Sequence, residues 1–178
     1  MSDLQNSLIF LKVAAESMPS PDKIGEALSL ISRGTPFDQL FFEKLNDPAW
    51  LPILVRQGYF SKLPGIQTIE GGRQGYPYHL PLIGLARLAE KAPHAVSSIL
   101  ARIELPENPT VGDQILRCIA SIREPSCIPI LHPLLIKLGE GQNCSSWVWI
   151  QPVYFAFCNL SFFHPASPLW GEAERRRA

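Results

Sequence analysis

The chain has 178 residues, long enough for one domain with a substantial core and short for two. A hydrophobic fraction of 46% against 18% charged residues excludes a disordered chain, because that much apolar surface drives collapse. Sixteen basic and sixteen acidic side chains cancel, and the arginines and lysines between Arg56 and Arg123 form no run, which argues against a nucleic-acid partner.

The first predicted helix runs from about Asp3 to Met18, with Leu4, Leu8, Leu11 and Ala15 inward and Ser2 or Asp3 as its cap. Met18-Pro19-Ser20-Pro21 breaks it. A second helix carries Ile24, Ala27, Leu28 and Ile31 on one face, and Gly34 is its natural stop. Thr35-Pro36 supplies a cap followed by a first-turn proline, opening a third helix with Phe37, Leu40, Phe41 and Leu45 inward. Asn46-Asp47-Pro48 repeats that device before a short fourth helix that carries Trp50, Leu51, Leu54 and Val55 and ends at Gly58.

Between residues 58 and 80 the helical period lapses. Five of the twelve glycines fall here, so a long irregular loop is expected. Ile66 to Ile69 reads as a brief strand turning at Gly71-Gly72. Regularity then returns. A fifth helix carries Ile83, Ala86, Leu88 and Ala89. Pro93 opens a sixth, with Val96, Ile99, Leu100 and Ile103 as its stripe. Pro109 precedes a seventh (Val111, Ile115, Cys118, Ile119 and Ile122 inward), and Pro125 an eighth (Ile128, Leu131, Leu134, Leu135 and Leu138 inward). Pro93, Pro109 and Pro125 stand 16 residues apart, and a helix pair of about 32 residues is the unit of helical-repeat proteins. The expected fold is therefore all-α. A right-handed stack of short antiparallel helix pairs, an α-solenoid, is preferred over an irregular helical bundle that would satisfy the same pattern, and it occupies residues 1–163 with the loop at 58–80.

The run Phe41 to Leu51 (FFEKLNDPAWL) with Gly58-Tyr59-Phe60, and Leu85 to Ala89 followed by Ala92-Pro93 and Val96 to Leu100, resemble a known kind of domain. It is the HEAT-like helical region near the N-terminus of large bacterial multidomain proteins. The resemblance spans roughly residues 36–138 and rests on packing positions. In such proteins nuclease or ATPase chemistry, where present, lies in other domains. The resemblance therefore implies a scaffold or sensor and assigns no catalytic residue here.

Reactive groups form no recognisable site. Gly71-Gly72-Arg73-Gln74-Gly75 lacks the lysine and hydroxyl of a phosphate loop and is followed by Tyr76-Pro77-Tyr78 rather than a helix start. His79, His94, His132 and His164 have no ligand-spaced partner, and His132 with Cys118 and Cys127 is the nearest approach to a cluster. No cysteine or serine stands in a nucleophile signature, and Glu104 and Glu107 around Pro106 read as a solvated loop. No metal, cofactor or enzymatic activity is expected. Cys118, Cys127, Cys144 and Cys158 contain no C-x-x-C pair and read as free thiols of a reducing compartment. With no basic leader ahead of Leu11, the expected location is the cytoplasm.

The surface candidate is the loop. Tyr59, Phe60, Arg73, Tyr76 and Tyr78 are residue types enriched at protein-binding hot spots, set against the alternative that the aromatics fold back over the open end of the helix stack.

Trp147 to Phe163 is intensely aromatic. Its 17 residues, with Gln151, Pro152 and Asn159 inside, suit a buried helix better than a membrane span. Residues 164–178 read as a disordered basic tail, ending in Arg175-Arg176-Arg177. A solenoid normally ends in a polar cap, so a reading frame truncated or shifted near residue 163 is expected, with self-association through the aromatic helix. The leading function is a non-enzymatic helical-repeat scaffold or protein-interaction module, an N-terminal fragment of a larger bacterial protein. The alternatives are a regulatory or sensor domain of an ATPase- or nuclease-containing protein, and a small membrane-associated protein anchored by residues 147–163.

Overall fold

The computed structural model describes residues 3–105 and 107–140. The aromatic segment 147–163 and the tail 164–178 lie outside the described residues.

Eight α-helices account for most of the described chain: α1 (Asp3–Glu16), α2 (Pro21–Ile31), α3 (Phe37–Lys44), α4 (Leu51–Arg56), α5 (Leu80–Leu88), α6 (Pro93–Leu100), α7 (Pro109–Ser121) and α8 (Ile128–Glu140). Single 3₁₀ turns at Pro48–Trp50 and Pro125–Cys127 lead into α4 and α8. Proline sits in the first two positions of α2, α4, α5, α6 and α7. Its missing N–H is one the first turn leaves unpaired anyway, and its fixed φ suits the helix. The exception is Pro36. It precedes α3, joined to Thr35 by a cis peptide bond, and Phe37 is the first helical residue. None of the helices described is long and apolar enough to cross a membrane.

Packing follows alternation along the chain. α1 lies against α3, α3 against α5, and α5 against α7, while α2 touches both α1 and α3, and α6 touches α5 and α8. A single buried cluster runs through these contacts from Leu11 to Leu138. All five inward positions expected of the seventh helix, and all five of the eighth, are buried.

Other faces are turned from expectation. Leu4 is 50% exposed at the start of α1 and Val55 44% exposed on α4, whereas Leu82 and Leu85 of α5 are fully buried in place of the half-buried Ile83 and Ala86. The α5 sequence LPLIGLARL is apolar around most of its circumference, so its period does not select a face. What selects it is Gly84. A Cβ there would stand 2.9 Å from Leu45 Cδ2 and 3.1 Å from Phe42 Cδ1, so the missing side chain is what lets α5 close on α3.

The Asn46-Asp47-Pro48-Ala49-Trp50 segment ties three helices together. Asp47 Oδ1 accepts from Ala49 N at 2.9 Å and starts the 3₁₀ turn. That turn buries Trp50, whose indole Nε1–H donates to Ala14 O at 2.9 Å and Ser17 O at 3.1 Å. Asn46 N donates to Ala15 O at 3.0 Å. Carbonyls at the end of α1, which no helical N–H reaches, are thus satisfied from a neighbouring loop. From the other side, Arg87 Nε of α5 donates to Leu45 O at 3.2 Å, and Lys91 Nζ to Asn46 O at 3.1 Å and Asn46 Oδ1 at 2.6 Å.

Candidate functional site

The loop between α4 and α5 is built around a small hairpin. β1 (Gln67–Thr68) and β2 (Gln74–Gly75) pair antiparallel, with Gln67 opposite Gly75 and Thr68 opposite Gln74. Gly71 and Gly72 make the turn at φ 81° and 72°, a left-handed conformation that costs glycine little and other residues more. The Gly71-Gly72-Arg73-Gln74-Gly75 stretch is thus the turn and the second strand of a hairpin. Ile69 lies over Gly75, where a Cβ would come within 3.0 Å of its Cγ2.

The five loop residues singled out from sequence divide into two groups. Phe60 is buried in the core, and Tyr59 is half-buried with its ring 5.6 Å from that of Phe42 at 64°. Phe42 meets Phe41 edge-on at 5.4 Å, and Phe41 meets Trp50 at 5.1 Å. Tyr59 and Phe60 therefore extend an aromatic row of the core. Arg73, Tyr76 and Tyr78 are exposed, Tyr76 at 42% and Tyr78 at 67%, with Ile66 and Ile69 also exposed on the same hairpin. Tyr76 donates its phenolic hydrogen to Gln74 Oε1 at 2.7 Å.

What holds this exposed group in place comes from α7. Asn108, fully buried one residue ahead of the helix, accepts from Thr110 N at 3.0 Å as an N-cap. Its amide nitrogen donates to Pro64 O at 3.0 Å and Pro77 O at 2.9 Å, so one side chain closes both ends of the hairpin segment. Gln114, 6% exposed on the next turns of α7, grips the backbone of His79: Oε1 accepts from His79 N at 2.8 Å and Nε2 donates to His79 O at 3.2 Å. The His79 ring then reaches across the loop, its Nε2 lying 2.8 Å from Tyr59 O. A carbonyl only accepts, so Nε2 carries the proton and donates. Burial, chiefly, lowers the His79 pKa below its usual value, opposed by the bond to Tyr59 O. Tyr59's phenol is pushed up by burial and by the nearby Asp38. Deeper in the same contact, Cys118 donates its thiol to Leu82 O at 3.2 Å, and burial pushes its pKa up to about 12.

Asn108, His79 and Gln114 thus form a neck beneath the loop. Sequence reading placed none of these three in the site. Asn108 directly before Pro109 signals an N-cap, but nothing local signals that its amide serves a loop more than 30 residues earlier.

A second polar group lies between α6 and α8. His94 Nδ1 stands 3.7 Å from Cys127 Sγ and His94 Nε2 3.2 Å from Ser126 Oγ, which donates to Glu124 Oε1 at 2.7 Å. Those bonds lower the Glu124 pKa, while burial raises that of Cys127. Cys127 has no exposed surface, so its thiol is closed to solvent, whereas Ser126 beside it is exposed. Beside it an open recess of about 250 Å³ is lined by Glu90, Pro93, Arg123 and Glu124, and Arg123 is already paired with Glu90 at 3.4 Å. His94 thus stands beside Cys127, a neighbour that sequence reading did not single out. Among the described residues no group of three or more His, Cys, Asp or Glu side chains is placed to hold a metal ion.

Comparison with protein-family models, with curated proteins and with solved structures gives no match for this chain.

Proposed function

We propose that the chain is a non-enzymatic, cytoplasmic scaffold of HEAT-like type that binds a protein partner through the loop between α4 and α5. The alternation of contacts supports the repeat part of this reading. α1, α3, α5 and α7 form one row, with α2 against α1 and α3 and with α6 against α5 and α8, as expected of a stack of helix pairs in which each apolar stripe needs neighbours on both sides.

The observation that carries the binding part is the contrast within the loop. Its base is fastened by fully or nearly buried amides, and its far side exposes Ile66, Ile69, Arg73, Tyr76 and Tyr78. Apolar and aromatic side chains left in water on a held backbone are pre-organised for a partner, because little loop entropy is lost when they are covered. Tyrosine and arginine add hydrogen bonding at the rim of such a contact.

The test is the double substitution Arg73→Ala/Tyr76→Ala, compared with the unaltered chain in quantitative co-purification. Both side chains are exposed and hold nothing in the core, so the melting temperature should be unchanged. A partner that depends on the loop should be lost, with a weakening of roughly 30-fold or more for a hot-spot pair. An identical partner set at identical stability contradicts the reading.

A further inference from the structure

We propose that His79 is a pH-sensitive catch on the neck of the loop, so that acidification loosens the platform carrying Arg73, Tyr76 and Tyr78. The consequence for binding rests on the functional reading above, whereas the catch itself rests on geometry alone.

Three observations converge on this one residue. It is the point where the loop rejoins the helical core, immediately before α5. Its backbone is held on both sides by Gln114, so any displacement of this segment breaks the link to α7. Its ring closes the neck from within by donating Nε2–H to Tyr59 O at 2.8 Å. In that tautomer Nδ1 is the nitrogen left to take a second proton, and taking it puts a positive charge into a part-buried ring.

The surrounding ionisable groups do not supply that charge with a partner. The influences on the ring are burial first and the Tyr59 carbonyl second. From α3, Asp38 acts on the Tyr59 phenol, which keeps its proton throughout the relevant range. On α7, Asp113 is paired with Arg117 at 2.9 Å, and the Cys118 thiol stays protonated. On α5, Arg87 is engaged with Leu45 O. Lys62, Glu70 and Arg73 of the loop are exposed.

The sign follows from linkage. The closed neck lowers the pKa of His79, and the open neck lets it return towards its usual 6.5. Closure is fully favoured above about pH 6.5 and weakens as pH falls from there through the lowered value of the closed state. Within that window the opening equilibrium rises by up to about tenfold per pH unit.

Hydrogen exchange of the whole chain at about pH 7.5 and about pH 5.5, each corrected for intrinsic exchange at that pH, reads this directly without any partner. Protection over residues 59–79 should drop by up to about tenfold at the lower pH while the interiors of α5 and α7 hold. In His79→Gln, whose amide can still donate to Tyr59 O, the drop should vanish. An unchanged protection in the native chain, or an equal drop in His79→Gln, overturns the catch. Should His79→Gln fail to fold, NMR titration of the native histidine rings decides. A His79 midpoint below 6.5 that coincides with the loss of neck protection supports the catch, and any other midpoint overturns it. Loss of partner binding in Arg73→Ala/Tyr76→Ala is a separate outcome, so either idea can fail without the other.

Discussion

Asn108 has more hydrogen-bonding duties than any other side chain described in the loop's support. Truncation to alanine would leave Pro64 O, Pro77 O and Thr110 N without this partner in a part-buried setting. The expected loss is about 2–3 kcal/mol of unfolding free energy, measurable by urea denaturation. Asn108→Asp separates its two roles. The carboxylate can still accept from Thr110 N and so keeps the helix cap, but it has no N–H for the two carbonyls and sets a negative charge against them. If the neck matters, Asn108→Asp is destabilised at least as much as Asn108→Ala. If only the cap matters, Asn108→Asp is close to neutral. The same logic explains why the site was half hidden in the sequence. Tyr59 and Tyr76 are chemically alike and stand in the same glycine-rich stretch, yet one packs on Phe42 and the other faces water. Around them, the backbone at Pro64, Pro77 and His79 is held by Asn108 and Gln114, which the chain supplies some 30 to 45 residues downstream.

At the scale of elements, the contact of α5 with α3 is governed by a residue that has no side chain. Alanine in place of Gly84 would gain up to about 1 kcal/mol of helix propensity. It would also press on Leu45 and Phe42, both fully or almost fully buried and unable to yield without repacking. Overpacking of this kind costs about 1–3 kcal/mol, so Gly84→Ala should lower stability on balance. Gly25 is the internal control. It lies exposed in α2, where an added Cβ would meet nothing within 4 Å, and Gly25→Ala should raise stability by about 0.5–1 kcal/mol. Opposite shifts in thermal melting for the two substitutions check the close approach; a gain for both contradicts it. Helix starts were the most legible feature of the sequence, because a proline in the first turn leaves a local signature: Pro93 and Pro109 each open the helix expected of them, and Pro125 opens the 3₁₀ turn that leads into α8. The buried faces of α7 and α8 were legible as well, since their stripes are clean. The face of α5 was not, because Leu80 to Leu88 is apolar nearly all round and the deciding contact lies with Phe42 and Leu45 on another helix.

In the molecule as a whole, two parts have different jobs: a continuous helical core from Leu11 to Leu138, and a loop that the core holds by its neck. A brief strand at Ile66 to Ile69 and its turn at two glycines were legible, but neither the pairing strand Gln74–Gly75 nor the tertiary hydrogen bonds to α7 that hold the loop were. Whether the loop is a fixed platform stands or falls with those bonds. Residue-resolved hydrogen exchange of the unaltered chain at neutral pH tests it most directly. The His79 amide, bound by Gln114 Oε1, and the Thr110 amide, bound by Asn108 Oδ1, should be protected to the level of the α5 and α7 interiors, while amides at the hairpin tip around Gly71 exchange faster. Exchange of the His79 amide at the rate of an unstructured chain would mean that the neck is open, and that Arg73, Tyr76 and Tyr78 are not held in place at all.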